Sequence, residues 1–160
     1  MRKTLLRATA AATLFAVAAA LSGAEYALDE AHSNVQFSVP LLGLSKVTGK
    51  FMRYDAHITA GKARDLSQAK VTAVIETASI ATGSDSWDGK LRTPAFFDSQ
   101  KYPEIRFESR RVRKVKGKWE AVGPLSIHGV SREITLPFEI KGRYDGPHPD
   151  DRIGISARFE

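Results

Sequence analysis

The feature that most constrains the fold is a strict alternation of apolar and polar side chains near the end of the chain. Its apolar members are Ile134, Leu136, Phe138 and Ile140, and every residue between them is polar or proline. A period of two places the apolar side chains on one face of a β-strand and the intervening residues on the other. Shorter runs of the same kind recur along the chain between turn residues, while helical periodicity is nearly absent. The sequence therefore predicts an all-β protein.

Further strands are predicted at residues 26–29, 35–39, 47–59, 70–80, 105–109, 118–128 and 153–159. Gly49 is predicted to mark a bulge or bend in the third of these. One short helix is predicted at residues 94–98, because the fixed φ of Pro94 suits a first helical position. Residues 41–44 (LLGL) are too apolar for an exposed loop, so we expect them to lie over or inside a cavity mouth.

The N-terminus predicts export. Three basic residues within the first seven precede an Ala-rich apolar run at residues 8–21, and small residues occupy positions 22–24. This is the pattern of a secretory signal peptide of residues 1–24, and the run is shorter than the ~20 apolar residues of a membrane-spanning helix. The chain has no cysteine, which excludes disulfides and a lipid-anchored cysteine. We expect a free periplasmic protein whose single domain is residues 25–160, without stable membrane insertion.

Charge gives little support for a nucleic-acid partner. The formal net charge is +6, but three of the basic residues lie in the predicted leader, which leaves +3 for the mature domain. The basic run at residues 110–118 (RRVRKVKGK) would suit phosphates. No aromatic residue interleaves it to stack on bases, so the outer face of two strands with a turn at Gly117 is favoured.

Candidates for chemistry are sparse. The four histidines are scattered singly, without the spacing of metal ligands, so neither a metal nor a cofactor is expected. His32 lies beside Ser33, but adjacent strand residues point to opposite faces. His128 precedes a glycine and is interpreted as a turn residue. Three carboxylates near one loop are Glu76, Asp85 and Asp88. Solvation, or pairing with Arg92, is favoured for these over catalysis, so the protein is not expected to be an enzyme.

Several motifs resemble the YceI family of periplasmic lipid-binding barrels. Residues 96–109 (FFDSQKYPEIRFES) resemble its Phe-Phe-Asp turn and the Lys-Tyr-Pro-x-Ile-x-Phe-x-Ser strand that follows. His32-Ser33 with Phe37, residues 47–51 (VTGKF) and residues 123–130 (GPLSIHGV) resemble further family motifs in the right order. The loop before the Phe-Phe-Asp turn departs from the family pattern, because Trp87 replaces an arginine and Lys90 replaces a histidine.

The resemblance implies an extended, lipocalin-like antiparallel barrel of eight strands. Its apolar tunnel would hold a polyisoprenoid or another long-chain lipid. An interior of this size can equally be filled by its own side chains. The second reading is therefore an interaction or stress-response module of the same fold without bound lipid, and a hydrolase is the third.

The predicted ligand site combines inward strand residues with the region before and after the Phe-Phe-Asp turn. Trp87 is expected to cover the tunnel mouth with Leu91 and Phe96, while Lys90 or Arg92 meets a polar or anionic head group. The predicted ligand-binding residues are Phe37, Val39, Leu42, Leu44, Phe51, Ile75, Trp87, Lys90, Leu91, Arg92, Phe96, Phe97, Phe107, Leu125, Leu136 and Phe138.

The C-terminus raises the question of closure. Members of the resembled family usually add a loop and a final strand that closes the barrel, whereas this sequence stops at Glu160. Either the first short run completes a smaller ring, or the barrel is open and the sequence is a truncated form of a longer one. We favour the open form, whose unpaired edges would also allow a homodimer.

Overall fold

The structure is a computed structural model that describes residues 23–41, 44–61, 65–144 and 152–159. It contains eleven described strands, one α-helix (α1, Asp85–Leu91) and one 3-10 helix (η1, Thr77–Ser79). The strands are β1 (Ala24–Ala27), β2 (Val35–Leu41), β3 (Ser45–Phe51), β4 (Tyr54–Ala60), β5 (Lys70–Glu76), β6 (Ile80–Ala81), β7 (Glu104–Glu108), β8 (Arg111–Val115), β9 (Lys118–Ile127), β10 (Val130–Tyr144) and β11 (Arg152–Ala157). The predicted all-β class is confirmed. The predicted leader, apart from residues 23 and 24, lies outside the described residues.

The strands form two antiparallel sheets. The larger has the order β1-β4-β5-β7-β9-β10-β11, with β8 also paired to β9, and the smaller has the order β2-β3-β6. Together they curve into a nearly closed, barrel-shaped wall with an unsealed seam. The predicted lipocalin-like barrel with an open edge is confirmed.

The seam lies between β1 and β11, the two outer strands of the large sheet. No strand pairing crosses it among the described residues, but Arg152 Nη1 lies 3.7 Å from Asp29 Oδ2. The Nδ1 atom of His32 contacts the same carboxylate at 3.0 Å. This hydrogen bond lowers the pKa of Asp29 from its ordinary value, and Arg152 contributes in the same direction. The two edges are therefore held near each other by side chains at one point.

The long strand predicted at residues 47–59 is two strands, because the chain turns a corner between the sheets at residues 52–53. Met52 N–H donates to the Ser79 carbonyl oxygen at 3.0 Å, and Arg53 N–H donates to Ser79 Oγ at 3.0 Å. On the neighbouring strand, Glu76 N–H donates to the Arg53 carbonyl oxygen at 3.0 Å. The 3-10 helix η1 thus supplies the acceptors that the bent backbone needs.

Gly49 is not a bulge. The register between β2 and β3 is continuous, and Gly49 lies directly opposite Phe37. A Cβ atom at Gly49 would lie 2.5 Å from the Phe37 ring. The glycine therefore makes room for an aromatic ring on the inner face, which is a common reason for glycine inside a strand.

One short helix is present, but residues 94–98 form turns. Phe96 N–H donates to the Thr93 carbonyl oxygen and Phe97 N–H to the Leu91 carbonyl oxygen, each at 3.0 Å. The helix lies earlier, at α1, because Ser84 caps it: its Oγ atom accepts the N–H of Trp87 at 3.5 Å.

Two tight turns join the strands around β9. Lys116 and Gly117 connect β8 to β9, His128 and Gly129 connect β9 to β10, and all four have positive φ. This is the geometry of two-residue hairpin turns whose twist matches that of the strands. The basic run is therefore two strands joined by a turn at Gly117, as predicted, and His128 is the predicted turn residue.

Candidate functional site

The inner face of the wall carries two clusters of buried apolar side chains. The first, called here the Phe107 cluster, lies toward the β8–β9 turn. Its buried members are Ala60, Leu66, Ala69, Phe107, Val112, Ala121 and Phe138. Trp119 stacks on Phe138 with ring centroids 6.1 Å apart and an interplanar angle of 16°.

The second, the Phe51 cluster, lies under α1. Its buried members are Phe51, Ile80, Leu91 and Ile105. Phe37 and Phe97 pack on Phe51 with centroid distances of 5.6 and 5.8 Å. Leu125 contacts both clusters, so apolar side chains run continuously along the interior.

Many side chains that pack on these clusters are only half-buried. Nine of them are Tyr26, Val35, Phe37, Tyr54, Ile58, Ile75, Leu125, Ile134 and Leu136. This partial exposure means that water reaches part of the apolar inner wall, so the described side chains do not bury one another completely. A separate groove of about 420 Å³ on the outer wall is lined by charged residues, among them Arg53, Glu76 and Glu104. Such a lining does not suit an apolar ligand.

Most of the predicted ligand-binding residues lie on this inner wall. Those at the Phe51 cluster are Phe37, Phe51, Ile75, Leu91, Phe97 and Leu125, and those at the Phe107 cluster are Phe107, Leu125, Leu136 and Phe138. The structure therefore brings together the apolar side chains that the alternation pattern selects. Their contact with a lipid stays a prediction.

A second group assembles on the outer side of α1. The Nζ atom of Lys90 lies 5.0 Å from the Trp87 ring centroid and 5.9 Å from that of Phe96. Phe96 is 42% exposed, whereas its neighbour Phe97 packs inward. The two adjacent phenylalanines therefore lie on different sides of the turn. Trp87, Lys90 and Phe96 therefore lie together at α1 and the turn that follows it, and their role as a cover for one end of the interior stays a prediction.

Arg92 is committed to the backbone. Its Nε atom donates to the Ala78 carbonyl oxygen and its Nη2 atom to the Ile80 carbonyl oxygen, each at 2.9 Å. These bonds fasten the end of α1 to η1 and β6. Lys90 and Arg92 were both considered as partners for a lipid head group. Arg92 is held by the backbone, whereas the ammonium group of Lys90 lies beside the Trp87 and Phe96 rings.

Two of the three carboxylates near this loop have separate structural partners. Asp88 Oδ1 accepts the Thr82 N–H at 2.8 Å and the Thr82 hydroxyl at 2.6 Å. The hydroxyl hydrogen bond is the main cause of a lowered Asp88 pKa. Glu76 instead pairs with Arg53, and this ion pair lowers the pKa of Glu76. Asp88 and Glu76 thus have separate partners, Thr82 and Arg53, and do not pair with each other.

Of the apolar segment at residues 41–44, only Leu44 has a side chain that the structure describes, and it is exposed rather than covered. Leu44 is 89% exposed and Val39 is 53% exposed. The reason is that β3 pairs with β6 only at Lys50 and Phe51, so the outer part of the β2–β3 hairpin extends beyond the wall. Leu42 lies outside the described residues.

Several inner-wall residues are missing from the predicted ligand-binding set. They include Tyr26, Tyr54, Ile105, Trp119, Ile134 and Ile140. Each except Tyr26 lies at an inward position of an alternating run, so the pattern that selected Phe107 and Leu136 was also the signal for these. Tyr54 has an added role, since its hydroxyl donates to the Ser33 carbonyl oxygen at 2.6 Å.

Across the described segments, no group of three or more His, Cys, Asp or Glu side chains is arranged to hold a metal ion. Within the same part of the chain, no helix is long and apolar enough to cross a membrane.

Comparison with known proteins agrees with this architecture. The protein named YceI of Escherichia coli O6:H1 is 31% identical over 159 residues, covering 98% of this chain and 82% of that protein. The crystal structure of a Campylobacter jejuni YceI protein is similar with a TM-score of 0.63 and 34% identity, over 82% of this chain and 77% of that one. A domain from Saccharophagus degradans, described as polyisoprenoid binding, shares the fold with a TM-score of 0.54 and 16% identity, over 74% and 75% of the two chains. The family model for the YceI-like domain matches residues 26–160, and the chain therefore belongs to the YceI-like family.

Proposed function

We propose that this protein binds a long-chain apolar lipid, such as a polyisoprenoid, inside the barrel and carries it in the periplasm. The observation that carries the proposal is the half-buried apolar inner wall that continues between the two clusters. An aliphatic chain lying along this wall would remove apolar surface from water, which stabilises the complex by about 25 cal/mol per Å².

Two further observations support the proposal. The Saccharophagus degradans domain of the same fold is described as binding a polyisoprenoid. The N-terminal pattern of basic, apolar and small residues is that of an exported protein, which agrees with a carrier outside the cytoplasm. We propose binding rather than catalysis, because two of the three carboxylates considered for chemistry, Asp88 and Glu76, are engaged in a structural hydrogen bond and an ion pair.

The decisive test is organic extraction of the purified protein followed by mass spectrometry. We expect one long-chain lipid per folded molecule. Recovery of a folded protein that neither carries lipid nor takes up an added polyisoprenoid would favour the interaction module without ligand. Turnover of simple esters or glycosides would instead support a hydrolase.

Adjacent residues of β5 provide a matched pair of variants. Ile75 packs on the Phe51 cluster, whereas Val74 lines the groove on the outer wall. Ile75→Gln places an amide on the inner wall and should lower the bound lipid per folded molecule, because the amide would lose hydrogen bonds to water when the lipid covers it. Val74→Gln makes the same chemical change on the outside and should leave the lipid content unchanged. Equal effects of the two substitutions would contradict binding in the interior.

Export has its own measurement. N-terminal sequencing of protein recovered from the periplasm should give Glu25 as the first residue, since small residues occupy the preceding positions. A product that starts at Met1, or one that stays in the membrane fraction, would contradict the periplasmic location.

A further inference from the structure

The β2–β3 hairpin is a projecting arm. Strand β3 pairs with β2 from Ser45 to Phe51, but with β6 only at Lys50 and Phe51. Among the described strands, the outer part of the hairpin therefore has no third strand beside it. We call residues 35–41 and 44–51 the β2–β3 arm.

The end of this arm is apolar and exposed to water. Leu44 is 89% exposed and is the most exposed of the described large apolar residues, and Val39 on the adjoining part of β2 is 53% exposed. Pro40, between them in the chain, is also exposed. Apolar side chains concentrated at a projection mark an interaction surface, because leaving them in water forgoes their burial.

The charged side chains in this part of the sequence are all basic. Lys46 and Lys50 lie on β3 and are exposed, and neither forms an ion pair within the described part of the chain. Residues 31–54 contain no aspartate or glutamate. An apolar tip above a cationic stem matches the boundary of a lipid bilayer that carries anionic head groups.

The inner face of the arm also leads into the barrel. Exposure falls from 53% at Val39 to 6% at Phe51, with the half-buried Phe37 between them. The Phe37 ring lies over Gly49 and packs on Phe51 at a centroid distance of 5.6 Å. Val39, Phe37 and Phe51 thus lie on one face of the arm, which leads to the Phe51 cluster.

We propose that the β2–β3 arm docks the protein on an anionic bilayer by inserting Leu44 and Val39 between the lipid head groups. This inference rests on the proposed lipid-binding function, since a lipid carrier must meet a membrane to load or unload. A second copy of the chain fits the arm less well. A specific interface buries about 800 Å² per partner, and two side chains at a hairpin tip provide only a small part of that area.

The absence of cysteine allows a direct test on the full chain. A single Leu44→Cys variant is labelled with a polarity-sensitive fluorophore and mixed with vesicles of phosphatidylglycerol and phosphatidylethanolamine. We expect a blue shift of the emission, which high salt weakens. Val115→Cys is the matched control. Val115 is also an exposed residue of a hairpin, but this hairpin is a different one: Val115 pairs with Lys118 at the start of β9, whereas Ile127 is at the other end of that strand. Its label should not shift.

Vesicle flotation then measures the affinity of each variant for the membrane. All variants have the same N-terminus, so any contribution of the leader to vesicle binding is the same in each of them. Leu44→Ser should weaken partitioning by about tenfold or more, and Lys46→Gln by about fivefold. The controls Val115→Ser and Lys116→Gln should bind vesicles as the parent does. Circular dichroism verifies that each variant is folded.

Three results would overturn the proposal: no shift at Leu44, equal shifts at both labelled positions, or a shift without vesicles that accompanies dimer formation in size-exclusion chromatography. Loss of binding in Lys116→Gln alone would instead assign membrane contact to the basic β8–β9 hairpin. Extraction of bound lipid from the same samples separates this inference from the proposed function. Vesicle binding without lipid in the barrel refutes the lipid carrier, whereas lipid in the barrel without vesicle binding refutes only the docking arm.

Discussion

Replacing Phe107 by alanine tests whether the interior at the Phe107 cluster is a packed core. Phe107 is 6% exposed and lies directly opposite Ala73 on β5 and Leu125 on β9. Loss of the buried ring removes about 1.5–3 kcal/mol of transfer free energy. Ala73 is too short to fill the gap, and a residual cavity of about 50–80 Å³ adds roughly 1–2 kcal/mol at 24 cal/mol per Å³. We therefore expect a loss of about 3–5 kcal/mol.

The assay is urea unfolding followed by circular dichroism and by tryptophan fluorescence, to which Trp119 contributes from inside the same cluster. Phe96→Ala is the control, because the Phe96 ring is 42% exposed and its removal should cost about 1 kcal/mol or less. If Phe107→Ala fails to fold, Phe107→Leu provides a milder change of about 1 kcal/mol. Equal losses for Phe107→Ala and Phe96→Ala, or a loss below 1 kcal/mol for Phe107→Ala, would refute a packed Phe107 cluster.

Three other substitutions probe the cover, its anchor and a turn. Trp87→Ala should release bound lipid with only a small fall in melting temperature; unfolding with unchanged lipid per folded molecule would show that Trp87 is a core residue instead. Because hydrogen bonds lower the Asp88 pKa below its ordinary value of 3.8 in the folded protein, its carboxylate stabilises the fold above that pH, and this contribution disappears as the pH falls through the folded pKa. Asp88→Asn should therefore flatten the acid limb of a plot of melting temperature against pH, and an unchanged limb would contradict this. Gly129→Ala should lower the free energy of unfolding, measured by urea denaturation, by about 1 kcal/mol or more, because φ is +74° and a Cβ would lie 2.5 Å from the Tyr102 ring. Gly142→Ala should change it little, because no atom lies within 4 Å of a Cβ at Gly142.

Local pattern was enough to predict the strands but not the corners of the barrel. The alternation at Ile134 to Ile140 placed the middle of β10 and its inward face correctly. The break at residues 52–53 depends on Ser79, which is 26 residues away from Arg53 in the chain. Local propensity cannot reveal a hydrogen bond between residues so far apart in the chain. The sequence therefore predicted one long strand in place of β3 and β4.

The helix shows a different limit. Pro94 is compatible with a first helical position, but it is equally compatible with a turn, and residues 94–97 form turns. Ser84 was the better signal, because a serine followed by acidic residues in the first turn is typical of a helix N-terminus. The local sequence was therefore sufficient to locate the helix, but the prediction placed its start at Pro94 instead of after Ser84.

For the candidate site, the alternation of apolar and polar residues predicted which side chains face the interior, but it could not predict how exposed each side chain is. Phe107, Leu136 and Phe138 lie where alternation put them. Leu44 was expected to be covered because it is apolar, yet burial depends on what lies beside the hairpin. That neighbour is set by where the β3–β6 pairing ends, which is a property of the whole sheet.

The position of β9 within the sheet has a consequence for how the barrel opens. β9 is hydrogen-bonded along one edge to β7 and β8 and along the other to β10, whereas β1 and β11 each have one described partner strand. Local unfolding begins where hydrogen bonds and buried contacts are fewest. Amide hydrogens of β1 and β11 should therefore exchange with solvent well before those of β9. The edges of the seam can therefore part while β9 stays intact, which opens the barrel at one side without global unfolding.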